Sequence, residues 1–228
     1  MESILIPMLI AGVFAVTPKL KYAAQTVTTI THELGHAIAV MPFGGRLQGI
    51  KLRLTTEGEA IVSIPRWPFP LYHIVRILNL FAGYSAPVYL AMVLIASVTN
   101  GWLLAAKIIL GAMCVLIVLF IRNWFGFLIA LLFAGLNVAM ISVGIAFFDE
   151  YVLTLAFILL FRGVTDIWMA GKWTFTNTLK SSDFVYASDE LFGPPQLWFV
   201  LFCLFHIPVM LLLSFITLSE AFQLAGRV

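Results

Sequence analysis

His32, Glu33 and His36, in the run His32-Glu33-Leu34-Gly35-His36, are the residues most able to do chemistry. In a helix, side chains four apart share a face, and four residues advance about 6 Å along the axis. Two imidazoles so placed reach one tetrahedral divalent cation, zinc above all. The Glu between them is rotated aside, where its carboxylate takes a proton from a metal-activated water. This is the HExxH pattern, and it assigns His32 and His36 as metal ligands and Glu33 as general base.

Such a centre needs a third protein ligand and keeps a position open for water. His73, Asp166, Asp183, Asp189, Glu190 and His206 all qualify by type. Asp166 fits best by position. It stands in Arg162-Gly163-Val164-Thr165-Asp166, near the end of an apolar segment, at a depth similar to that of HExxH. Its alternative role is an ion pair with Arg162 or Lys172. His206 lies beside Pro208 within an apolar run and reads as a polar contact at a Pro-broken helix. His73 and Arg76 read as an interfacial pair that reaches for water. Asn79 and Asn137 read as interhelix hydrogen-bond donors.

The elements that must hold these groups are apolar to an unusual degree. Of 228 residues, 62% are hydrophobic and only 11% are Asp, Glu, Lys or Arg. Soluble domains carry about 25% charged residues. That balance excludes a soluble globular protein and a disordered chain. The net charge of +2 gives no sign of a polyanionic partner, so nucleic acid is excluded as well. A bilayer-spanning helix takes about 20 apolar residues. Seven apolar segments are present: 3–16, 22–43, 71–98, 102–121, 124–148, 151–161 with a helical pattern on to Met169, and 197–218. The expected architecture is one all-α polytopic membrane domain over 1–228 with about six to seven spans. The first segment lacks a basic flank and a small-residue cleavage site, and reads as a retained helix. Cys114 and Cys203 lie in apolar segments and form no CxxC pair.

Two polar stretches interrupt the segments. Residues 44–70 alternate apolar and basic over 50–54, turn at 55–58, and return through 60–64, which predicts an amphipathic hairpin at the membrane. Residues 174–195 form a polar connecting loop that ends in Gly-Pro-Pro. With seven spans, Arg46, Lys51, Arg53, Arg66, Arg122, Arg162, Lys172 and Lys180 gather on one side, against Lys19, Lys21 and Arg227 on the other. The positive-inside rule places the first group, and HExxH with it, towards the cytoplasm.

Ionisable groups inside a span cost about 2.5–3.5 kcal/mol each on insertion scales. Three within five residues require compensation, which a metal supplies. A transporter would spread such groups across the bilayer; here they cluster at one depth.

The chain resembles the site-2 protease family of intramembrane zinc metalloproteases, in its compact bacterial branch without a PDZ domain. The matching runs are His32-Glu33-Leu34-Gly35-His36-Ala37, Gly44-Gly45-Arg46, Gly83-Tyr-Ser-Ala-Pro87, Gly163-Val-Thr-Asp166, and Ser182-Asp183 through Leu191-Phe-Gly-Pro-Pro-Gln-Leu-Trp198. The resemblance implies zinc held by His32, His36 and Asp166, Glu33 as base, and cleavage of transmembrane protein substrates within the lipid bilayer of a bacterial cell. The distal Asp departs from the family's Asn-Pro-x-x-Asp-Gly setting. A zinc-binding scaffold without protease activity shares the same motif, and a transporter is the more distant reading.

Overall fold

The computed structural model describes residues 2–55, 57–143, 145–176 and 182–225. Lys180 and Arg227 of the orientation argument lie outside them. The first helix, α1 (Glu2–Val16), ends where Thr17 adopts extended backbone before Pro18, as residues preceding proline do. Pro18 then opens α2 (Pro18–Val40) at the position where its missing N–H costs nothing. The two helices meet at 104°. The first two apolar segments therefore form one bent unit and make at most one crossing.

Helix α2 stops in a single 3₁₀ turn, Met41–Phe43. Gly44, at φ 77°, takes the left-handed conformation, and the Gly44 and Gly45 N–H groups close back on Met41 and Val40 carbonyls. The expected hairpin follows as β1 (Arg46–Leu52) and β2 (Gly58–Ser63), antiparallel, with an irregularity between Leu47 and Gly49. Its first strand starts earlier than the alternation at 50–54 suggested. Ile50 and Leu52 are buried while Lys51 is exposed and faces Glu59 across the pair.

Five long helices and one short one complete the chain. They are α3 (Leu71–Thr99), α4 (Leu103–Phe120), α5 (Trp124–Val143), α6 (Ile145–Thr176) and α8 (Pro195–Ala225), with the short α7 (Asp183–Glu190) inside the expected polar loop. Residues 145–148 belong to α6, not to the segment before it. The polar residues after Phe161 continue that helix to Thr176. Five helices are long and apolar enough to cross a membrane, and the bent α1–α2 pair makes six at most. The protein is an integral membrane protein.

Helix α3 is the centre of the packing, with α2, α6 and α8 against it. At Gly35 of α2 an added Cβ would stand 2.5 Å from Ala86 Cβ and 2.6 Å from the Ala82 carbonyl oxygen, so glycine sets this close helix approach. Helices α4 and α5 are peripheral, with only 22% of their most apolar stretches buried. Their connecting turn holds the hairpin. Arg122 N–H donates to the Ile50 carbonyl (2.9 Å), and Asn123 accepts from Leu52 N–H (3.1 Å) and donates to Leu52 O (2.7 Å). The hairpin and the 121–123 turn thus occupy one end of the bundle.

Candidate metal centre

Helix α2 presents His32 and His36 toward α3. His36 Nδ1 lies 2.7 Å from the Asn79 carbonyl, and Asn79 Nδ2 returns a bond to the His36 carbonyl at 2.9 Å. Asn79 is therefore an interhelix donor, as expected; Asn137 bonds instead within its own helix, to Phe133 O. A carbonyl only accepts, so the His36 proton sits on Nδ1. That leaves Nε2 with a lone pair for another partner.

That lone pair faces no ordinary donor. His36 Nε2 is 3.1 Å from His32 Nε2, and Asp183 Oδ2 is 3.2 Å from His32 Nε2 and 3.5 Å from His36 Nε2. Asp183 Oδ2 is buried and receives no well-directed hydrogen bond. Three lone-pair atoms thus form a triangle with sides of 3.1–3.5 Å. Bonds of 2.0–2.1 Å around a tetrahedral zinc set ligand atoms about 3.4 Å apart. The donor set, the spacing and the orphaned oxygen all fit a metal ion that these three atoms would hold.

The surroundings are fitted closely to these groups. A Cβ on Gly83 of α3 would come within 2.6 Å of both Nε2 atoms. The Tyr84 ring meets the His32 ring edge-on and stacks on Phe184, next to Asp183. Asp183 opens α7, where Ser182 accepts the Val185 N–H as N-cap. Burial alone raises the Asp183 carboxyl; its neighbours His36, His32 and Arg76 outweigh it and hold the group below the usual carboxylate range. An ionised carboxylate is what a metal requires.

Glu33 is 5% exposed and lies under the hairpin. The Ala60 N–H hydrogen-bonds to it, and a Cβ on Gly58 would fall 2.5 Å from its Oε1.

Asp166 is not brought into the group. It pairs with Arg162 at 2.8 Å, one turn back on α6, which is the alternative its sequence setting offered. Arg162 itself is buried within α6 and is no loop residue, so it drops out of the orientation argument. Its burial explains the pairing, because an unpaired guanidinium inside a membrane segment is costly. Among the other residues considered for the third position, His206 bonds Tyr89 Oη (2.8 Å), His73 packs against Phe69 and Tyr72, Glu190 pairs with Arg76, and Asp189 is exposed. The residue that reaches the histidines is Asp183, and its signal in the sequence is the Ser182-Asp183 helix start.

No curated protein and no solved structure was found to match the chain. One family model does, the one described as Peptidase M50B-like, and it spans residues 5–213. That match covers most of the 228 residues, and the chain belongs to this family, which is the site-2 protease family.

Proposed function

We propose that the protein is an intramembrane zinc metalloprotease that hydrolyses peptide bonds in or near transmembrane segments of other membrane proteins. The observation that carries this reading is the triangle of His32 Nε2, His36 Nε2 and Asp183 Oδ2 with the buried Glu33 beside it. His32, His36 and Asp183 would hold the zinc; when bound, it polarises a carbonyl and makes a water acidic enough to lose a proton near neutral pH.

The chain's own groups supply the rest. Glu33 takes the proton from the attacking water and delivers it to the departing amide nitrogen. The Ala60 N–H fixes the carboxylate, and the absence of a side chain at Gly58 leaves it room. His36 keeps its tautomer because the Asn79 carbonyl holds the Nδ1 proton.

A helical substrate hides its carbonyls, so it must be extended before attack. The outer edge of β1 is closed by residues 121–123. Ala60, by contrast, turns its N–H away from β1 toward Glu33. An extended segment added along β2 therefore passes over the general base, with main-chain hydrogen bonds for affinity. Six described basic residues, Arg46, Lys51, Arg53, Arg66, Arg122 and Lys172, stand at the hairpin end or in the last turns of α6. They support a site facing the cytoplasm.

Glu33→Gln separates binding from chemistry. The variant is expected to keep zinc and to lose cleavage of a membrane-embedded test substrate by about 10²–10⁴-fold. Cleavage at the wild-type rate would refute the role of Glu33. Zinc retained by a wild type that cleaves no membrane protein would favour the scaffold reading.

A further inference from the structure

The third ligand sits on a helix of only eight residues. Its hold on the bundle is uneven. At the ligand end, Phe184 is buried, stacked on Tyr84 at 5.1 Å and edge-on to Phe199 and Phe202. Apolar stacking is not directional in the way a hydrogen bond is, so this anchor alone leaves the helix free to roll about its axis.

At the other end, Glu190 makes a two-point ion pair with Arg76 of α3. Asp183 and Glu190 are seven apart, two turns, and so lie on one face of α7. Arg76, Asn79 and Gly83 are spaced by three and four, and so lie on one face of α3. The two faces match: Glu190 meets Arg76, while Asp183 meets the imidazoles that rest on Gly83. Both contacts are about 10 Å apart along either helix. Arg76 Nη1 also donates to Asn79 Oδ1 at 3.2 Å, and Asn79 is the residue that orients His36. One guanidinium thus touches the support of one histidine ligand and the far end of the aspartate's helix. The pair borders a cavity of about 360 Å³ lined also by Val62, Ile64 and Tyr72, at the end of β2.

We infer that Arg76 is a positioning residue, which with Glu190 clasps α7 against α3 and so sets how firmly Asp183 closes the metal centre. This rests on the reading of His32, His36 and Asp183 as metal ligands. Residues that orient ligands from behind typically change metal affinity by 10–100-fold when removed.

The test uses the full chain purified in detergent, with zinc as the probe and a chelator in competition. Arg76→Gln and Glu190→Gln are each expected to weaken zinc binding by about tenfold or more. The exchanged pair, Arg76→Glu with Glu190→Arg, restores the ion pair and is expected to bind at least about threefold more tightly than either single variant. Asp189→Asn, one residue away and exposed, should bind zinc like the wild type. Single variants that hold zinc as well as wild type, or an exchanged pair no better than the singles, overturn the clasp while leaving the metal centre standing. A wild type that holds no zinc overturns the metal centre and the clasp with it.

Discussion

Gly83 leaves no room for a side chain beside the two imidazoles of the proposed metal centre. Any side chain there enters the space taken by both imidazoles, at 2.6 Å from each Nε2, and neither ring can retreat without leaving Asp183. Gly83→Ala is therefore expected to weaken zinc binding by at least about tenfold. Gly12→Ala on α1, where nothing lies within 4 Å, should leave it unchanged. Equal zinc affinity in the two variants would show that the histidines do not meet their ligand at this spot. The pairing of His32 with His36 was legible in the sequence because spacing on one helix puts them on one face, with Glu33 turned aside from it. The third acid was not. Asp166 has the better position along the apolar pattern, yet a buried Arg162 four residues before it already claims its carboxylate. Asp183 reaches the histidines from a separate, short capped helix that packs against α3 and α8. No spacing rule within one helix reports such a contact.

Among the elements, the long apolar helices and the hairpin follow from composition and alternation. β1 starts at Arg46, before the alternating stretch, because Arg46 and Leu47 already pair with Ser63 and Val62; Arg122 and Asn123, more than seventy residues away, hold its outer side at Ile50 and Leu52. Helix α7 was hidden inside a polar connection, for eight residues with Asp183, Ser188, Asp189 and Glu190 carry little apolar period. What marks it is its punctuation: Ser182 as N-cap at one end and Gly193-Pro-Pro at the other. The bend between α1 and α2 is written in Thr17-Pro18, which predicts a break but not an angle of 104°. That angle follows from packing, as α1 lies against α6 while α2 lies against α3.

At the scale of the whole molecule, five crossings alternate the connections between two ends. The hairpin, the 121–123 turn and the last turn of α6 fall at one end, and the Asn100–Trp102 turn at the other. This alternation survives the reduction of the first two segments to one bent unit; only Lys19 and Lys21 change their meaning, since they stand at the bend. The described basic residues favour the hairpin end, so that end should face the cytoplasm. In a background without Cys114 and Cys203, Leu54→Cys is expected to react with an impermeant thiol reagent only from the cytoplasmic side, and Asn100→Cys only from the opposite side. The reverse pattern would turn the active site outward. The proposed metal centre is tested most directly by one measurement, the zinc content of purified wild type, His36→Ala, Asp183→Ala and Asp166→Ala. The structure's triangle of ligand atoms predicts about one zinc per chain in wild type and in Asp166→Ala, and its loss in His36→Ala and Asp183→Ala. Zinc kept by Asp183→Ala and lost by Asp166→Ala would contradict it.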